Sequence, residues 1–157
     1  MSPKLLRSYL DRAKVNYMVR SHRPAFSSSR VAEATHTPGR ELAKVVILWV
    51  DTRLVMAVLP STQHIDLGHL RELTGARNVR LAREDEFAVR FEQCELGAMP
   101  PFGNLYDMEV FVAESLTHDE FISFNACTHT EIMTMAYADF ERLVRPTVLS
   151  FAEPTLV

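Results

Sequence analysis

A chain of 157 residues that is 47% hydrophobic and 24% charged can bury a substantial core, and its composition is ordinary for a globular domain. A formal net charge of −3 argues against a general nucleic-acid coat. No apolar run approaches the roughly 20 residues of a membrane span. The expectation is one domain over residues 1–157, cytoplasmic, monomeric and without a membrane segment. The stretch Met1-Ser2-Pro3-Lys4-Leu5-Leu6-Arg7 turns amphipathic at once and lacks the apolar core of a signal peptide. Cys94 and Cys127 offer no C-x-x-C spacing, so neither a disulfide framework nor a zinc site is expected, and reduced thiols fit best.

Ser2 can cap a first helix with Pro3 at its first position, and Leu5, Leu6, Tyr9, Leu10 and Ala13 recur at helical spacing. Tyr17 to Val19 reads as a short strand, closed by Pro24. A serine of Ser27-Ser28-Ser29 can cap a second helix, Arg30 to Thr35, and Pro38-Gly39 marks a turn. The runs Val45–Val50 and Leu54–Leu59 are apolar without alternation and are joined at Asp51-Thr52-Arg53. They predict a hairpin covered on both faces, hence central in its sheet. Lys44 stands at its mouth.

Asp66 caps a helix carrying Leu67, Leu70 and Leu73, and Gly75 stops it. Asn78 to Leu81 is a short strand. Glu84-Asp85-Glu86 opens a helix with acids in its first turn, and Phe87 and Phe91 face the core. Glu95-Leu96-Gly97-Ala98-Met99-Pro100-Pro101-Phe102-Gly103-Asn104 is a stiff loop, since proline fixes φ while glycine permits unusual backbone. Rigid amides in a loop suit holding a carbonyl or phosphate oxygen, and the alternative is an ordinary tight connection between strands. Met108 to Ala113 is a strand with Val110 and Val112 on one face. Phe121–Phe124 and Glu131–Met135 form an antiparallel pair, Tyr137–Val144 is a closing helix, and about 146–157 is an extended tail. Strands and helices mix without βαβ alternation. The fold class expected is therefore α+β, with a largely antiparallel mixed sheet or partly closed barrel flanked by helices.

Charge is uneven. From Arg20 to Lys44 five bases (Arg20, Arg23, Arg30, Arg40, Lys44) face two acids (Glu33, Glu41), whereas beyond Asp107 acids dominate. Such asymmetry permits one anionic-ligand face, with a solvated surface that has no partner as the alternative. The six histidines lack the spacing of a helical zinc motif, so no metal is expected. Cys127 and His129, two apart, invite a Cys–His nucleophile reading, against which stands a small buried thiol. No phosphate loop, dinucleotide fingerprint or nucleophile elbow occurs. The best composite site joins Lys44, the Gly97–Gly103 loop and the polar Asn125–Thr130 loop, with His22 nearby, and it holds no strong general base.

Ordered motifs carry a resemblance. They are His22-Arg23-Pro24-Ala25-Phe26-Ser27, Glu41-Leu42-Ala43-Lys44-Val45-Val46, Ala57-Val58-Leu59-Pro60, the G-x-x-x-P loop from Gly97 to Pro101 with Phe102-Gly103, and Phe124-Asn125-Ala126. In this order the chain resembles the YbaK/EbsC-type aminoacyl-tRNA editing domains, related to the editing insertion of bacterial prolyl-tRNA synthetases. The similarity covers about residues 5–148. It implies a YbaK-like fold and a trans-acting deacylase that hydrolyses tRNA mischarged with a small amino acid of the Ala, Ser or Cys class. Lys44 matches the family's lysine, expected to hold phosphate or the acceptor-end sugar. Gly97 and Pro101 match the loop whose amides stabilise the oxyanion. His22, Ala98, Met99, Phe102, Gly103, Asn125, Thr128 and His129 are the expected substrate contacts. The resemblance implies no cofactor or metal, and water activated by the tRNA's own terminal hydroxyls. The implied partners are mischarged aminoacyl-tRNA and an aminoacyl-tRNA synthetase. The alternative is a non-catalytic tRNA- or nucleotide-binding regulatory module of the same fold. One departure stands out: the late loop often reads Ala-Gly, and here it is Ala126-Cys127.

Overall fold

The computed structural model describes residues 3–155. The expected Ser2 cap lies outside the described residues. Helix α1 (Pro3–Arg12) buries Leu6 and Leu10 completely, but Leu5 is 49% exposed. Adjacent residues sit about 100° apart on a helix, so Leu5 falls off the stripe that Leu6 and Leu10 define. Strand β1 (Tyr17–Ser21) follows. Helix α2 (Ser28–Thr35) begins two residues before the expected start, and the Ser27 hydroxyl accepts the Arg30 N–H at 3.3 Å as its N-cap.

Strands β2 (Ala43–Val50) and β3 (Arg53–Pro60) form the hairpin, with Val50 opposite Arg53. Asp51 at the turn has φ 54, and its Oδ1 accepts the N–H groups of Arg77 and Asn78 at 3.0 Å each. This pins the chain that enters β5 (Val79–Leu81) beside β2. On the other side β3 runs parallel to β6 (Glu109–Ala113), which runs parallel to β9 (Thr147–Leu149). The sheet order is β5-β2-β3-β6-β9, so the two unbroken apolar runs are interior strands, as expected.

Both faces are covered. Ala43, Ile47, Met56, Val58, Val110 and Val112 pack into one core with Leu6 and Leu10 of α1, Phe87 of α4 (Glu84–Phe87), Phe91, and Phe140 of α5 (Tyr137–Val144). Leu48, Val55, Ala57, Leu59, Phe111 and Ala113 pack into the other with Leu70 of α3 (Leu67–Thr74) and Phe151. Each of the larger aliphatic and aromatic side chains stabilises the fold by roughly 1.5–3 kcal/mol relative to exposure. Helix α3 has its expected stops, with the Asp66 carboxylate accepting the His69 N–H at 3.0 Å and Gly75 at φ 70. Leu73 is 42% exposed although it lies only about 60° round the helix from the fully buried Leu70, at the edge of the buried stripe.

A second sheet, β1-β8-β7, combines β7 (Phe121–Asn125) and β8 (Glu131–Ala136) antiparallel with β1. A third pairs β4 (Gln63–Ile65) with β10 (Ala152–Pro154). The segment expected as an extended tail is therefore docked, and Phe151 is fully buried. The fold is α+β with mixed, mostly antiparallel sheets, and among the described residues no sheet closes into a barrel.

One expectation is corrected. Cys94 and Cys127 are not reduced thiols but a disulfide, with Cα atoms 4.5 Å apart across 33 residues of sequence. Spacing rules look for local pairs. This pair is created by two distant loops meeting, with the Cys127 N–H donating to the Ala98 carbonyl and the Glu95 N–H to the Cys127 carbonyl, both at 2.9 Å. The nucleophile reading of Cys127 fails with it, since the sulfur is bonded and the residue is only 1% exposed.

Candidate functional site

Lys44 is the second residue of β2, opposite Leu59 of β3. The side chain is half-buried, and burial pushes its ammonium pKa below the ordinary lysine value. Among the described residues no carboxylate offsets that cost. A partly desolvated cation without a counter-ion is a ready anchor for an anionic ligand.

The stiff loop is held at one end and offered at the other. Phe102 is fully buried, its ring edge-on to Phe124 and Phe140 at 5.5 and 5.6 Å between centroids. Gly103 is glycine because of packing, since a Cβ there would stand 2.5 Å from Val110 Cγ2 and 2.9 Å from the Met108 carbonyl oxygen. Pro100 and Pro101 are buried between these anchors and the turn. Gly97 is exposed, with φ 88 in the left-handed region. Its N–H points at the Met99 sulfur, 3.2 Å away. A thioether is a weak acceptor that a substrate oxygen would readily replace. Ala98 is buried, and its N–H closes the turn onto the Glu95 carbonyl at 3.0 Å.

The late loop supplies two polar groups. Asn125 ends β7 opposite Ile132, and its Oδ1 is buried with no hydrogen-bond partner among the described residues. Leaving a buried acceptor unsatisfied costs about 1–3 kcal/mol, so a ligand donor there would recover stability. His129 is held on three sides. Its N–H donates to Glu95 Oε2 at 2.9 Å, its Nε2–H donates to the Leu96 carbonyl at 2.8 Å, and its ring lies 4.8 Å from the Phe26 ring.

These groups converge. A cavity of about 160 Å³ is lined by Lys44 and its neighbours Ala43 and Val45, by Gly97 and Met99, by Asn125 and His129, and by the Ala25–Ser28 segment with Val31. The structure thus gathers five of the expected residues: Lys44, Gly97, Met99, Asn125 and His129. It does not bring the others to the cavity. Phe102, Gly103, Pro101 and Ala98 support the loop from behind. The Thr128 hydroxyl accepts the Thr130 N–H at 3.4 Å and so closes its own turn. His22 holds the edge of the late loop through its backbone, whose N–H donates to the Thr130 carbonyl at 2.7 Å, and its Nδ1 donates to the Arg23 carbonyl.

Phe26 was overlooked as a lining residue. It is 75% exposed, an unusual position for a phenylalanine next to a helix cap, and it stands over His129 at the cavity mouth. Its signal was in the chain, as an apolar ring in the His22–Ser27 motif with no strand or helix to bury it. The basic surplus also shrinks. The Arg20 guanidinium is spent inside, donating to the Thr35 carbonyl at 3.1 Å and the Thr37 hydroxyl at 3.0 Å. Arg30 remains beside Pro24 and Phe26.

A larger groove of about 370 Å³ crosses β1, β7 and β8 between Met18, Phe121 and Met135. It contains none of these residues and lacks their convergent polar groups. Among the described residues no three His, Cys, Asp or Glu side chains gather, and no helix is long and apolar enough to cross a membrane.

The model of the aminoacyl-tRNA editing domain family matches residues 22–143, well over half of the chain. Three solved structures share the fold. The hypothetical protein APE2540 superimposes with a TM-score of 0.83 at 16% identity, over 94% of this chain and 99% of that one. A protein provisionally described as a trans-editing enzyme for prolyl tRNA synthetase gives 0.78 at 17% identity, over 96% of each chain. A provisionally described signal transduction protein from Marinobacter aquaeolei VT8 gives 0.77 at 18% identity, over 97% of this chain and 31% of that one. No curated protein matches the chain in sequence.

Proposed function

The chain belongs to the aminoacyl-tRNA editing domain family, and from that premise we propose that it is a trans-acting aminoacyl-tRNA deacylase. Its substrate would be tRNA mischarged with a small amino acid of the alanine, serine or cysteine class. The observation that carries the reading is the cavity itself. Three polar groups from distant stretches (the Lys44 ammonium, the Gly97 amide and the Asn125 carbonyl) meet there without strong partners of their own.

Each group has a role in ester hydrolysis. Lys44 binds the terminal phosphate or ribose and fixes the acceptor end. The amide at Gly97 takes the carbonyl oxygen as negative charge develops on it, a contact of the kind worth about 3–4 kcal/mol in other acyl-transfer sites. The Pro100-Pro101 pair keeps that amide in place beforehand, so little reorganisation is needed at the moment of reaction. Asn125 Oδ1 accepts from the substrate's ammonium or a ribose hydroxyl. Water adds to the ester carbon, and the ribose oxygen leaves with a proton. No side chain of the cavity is a strong general base, and the tRNA's own terminal hydroxyl groups are the activating partner.

Size supports a small amino acid. About 160 Å³ is well below the roughly 300–1,000 Å³ of sites that enclose a drug-sized ligand. It suits a short side chain and its ester, with the nucleotide outside. Residues 1–157 would act as one domain in the cytoplasm, with mischarged tRNA as the ligand and a synthetase as the source of the error.

The test is a panel of alanyl-, seryl- and cysteinyl-tRNAs carried on non-cognate tRNA, assayed for released amino acid with wild type and Lys44→Ala. The expected result is turnover of at least one ester by wild type and none by the folded variant. Tight tRNA binding without hydrolysis anywhere on the panel would overturn the deacylase reading in favour of a binding module.

A further inference from the structure

Neither cysteine lines the cavity, yet the bond between them closes the frame on which the cavity is built. Cys94 leads directly into Glu95-Leu96-Gly97. Cys127 lies two residues after Asn125 and two before His129. Four hydrogen bonds already run between these loops. They are Glu95 N–H to the Cys127 carbonyl, Cys127 N–H to the Ala98 carbonyl, His129 N–H to Glu95 Oε2, and His129 Nε2–H to the Leu96 carbonyl, all between 2.8 and 2.9 Å. The disulfide ties off the end of this ladder.

Cys127 also sits at φ 71, in the left-handed region that costs a side-chain-bearing residue about 1–2 kcal/mol. Without the bond, that strained residue would be free to relax and carry its neighbours with it. Two unbonded sulfurs also need more room than a bonded pair, in a place where Cys127 is 1% exposed.

We propose that Cys94 and Cys127 are a reversible thiol–disulfide modification site that sets the rigidity of the two pocket loops, the disulfide form being the tight and faster one. This deepens the deacylase reading, and only its activity arm rests on that reading. The oxidant is a low-molecular-weight disulfide such as oxidised glutathione. The half-buried Cys94 is the entry point. Its thiolate attacks one sulfur of the small disulfide, forms a mixed disulfide and expels one thiol. The Cys127 thiolate then attacks the Cys94 sulfur and expels the second. Two protons leave the protein thiols and two electrons pass to the small disulfide. The Tyr106 hydroxyl stands 3.5 Å from the Cys94 sulfur and 4.0 Å from the Cys127 sulfur. It can donate to whichever thiolate forms.

The experiment compares the full chain oxidised with oxidised glutathione and reduced with a phosphine, the state verified by mass after alkylation. Oxidised protein should take no alkyl group and reduced protein two. Amide hydrogen exchange at 94–99 and 126–130 should be at least about tenfold slower in the oxidised form, because opening of both loops is then coupled. Deacylation kcat/KM should be about fivefold higher, the value expected when pre-organisation of one oxyanion contact is partly lost on reduction. Cys94→Ser and Cys127→Gly, the latter relieving the positive φ, should both ignore the redox state. Failure to form the link at saturating oxidised glutathione overturns the proposal. So does identical exchange in the two states, or equal kcat/KM in two active forms. If exchange responds but neither form hydrolyses any ester, the deacylase reading fails and the switch stands.

Discussion

His129 donates its Nε2–H to the carbonyl of Leu96 at 2.8 Å, and by that bond the late loop holds the Gly97 turn in place. The contact spans 33 residues of sequence and joins two of the four stretches that line the cavity. If the Gly97 amide receives the substrate carbonyl as proposed, His129 is a positioning residue for it.

His129→Ala should therefore lower kcat more than it raises KM. Loss of the side-chain hydrogen bond is worth about 1–1.5 kcal/mol, or roughly a 5- to 13-fold fall in kcat/KM. His129→Gln, which can donate to the same carbonyl, should recover part of it. Steady-state kinetics on the best ester of the panel decide the matter, and a variant as fast as wild type would remove His129 from the site.

Gly97→Ala meets two obstacles at once. The residue sits at φ 88, and the new Cβ would stand 3.3 Å from His129 Cε1. The strain should cost about 1 kcal/mol or more in stability, read as a lower urea midpoint at unchanged slope. Deacylation should fall further than stability, because the shifted turn misplaces the amide.

Lys44→Met should trade activity for stability. Burial holds the Lys44 pKa below that of the unfolded chain, so the folded state binds its proton less well. Its charged form thus opposes folding at neutral pH. This penalty fades as pH rises through the folded pKa towards the unfolded value of 10.5. The side chain is only half-buried and solvent screens it, so the gain on removing the charge is a few tenths to about 1 kcal/mol. Thermal unfolding of Lys44→Met at pH 7 should show a slightly raised Tm together with abolished turnover. A lowered Tm would mean that the ammonium has a stabilising partner.

Tyr106 should dominate part of the alkaline response. Burial pushes its phenol up to about 12 from 10.0. The folded protein keeps that proton while the unfolded chain loses it, so stability contributed by the neutral phenol declines as pH rises from about 10 to about 12. Tyr106→Phe should flatten this decline by about 1–2 kcal/mol, after discounting for partial solvent access. Urea unfolding at pH 9 and pH 11.5 for the two proteins measures the difference.

Much of the framework was legible in the chain. Asp66 and Gly75 bound α3 because capping chemistry is local, and the two unalternating apolar runs declared a doubly covered hairpin. Leu5 is misplaced because helical periodicity marks a stripe but not its width, which the neighbouring sheet sets. Strands β4 and β10 were invisible, since three-residue strands carry too few positions for a period. At the site, Lys44 and Gly97 were readable from motif and backbone chemistry. The roles of Phe102 and Gly103 were not, because the same Pro/Gly loop can offer its residues to a ligand or bury them as anchors.

The sequence by itself determined the class of fold, the interior hairpin, the helix stops and three of the four stretches that line the cavity. Those features rest on local propensity, capping and hydrophobic period, which act within a few residues. Only the tertiary structure decided which side of each loop faces the cavity, that Phe26 guards its mouth, and that Cys94 finds Cys127. Such pairings depend on how distant loops pack and share hydrogen bonds, and no short-range pattern encodes them.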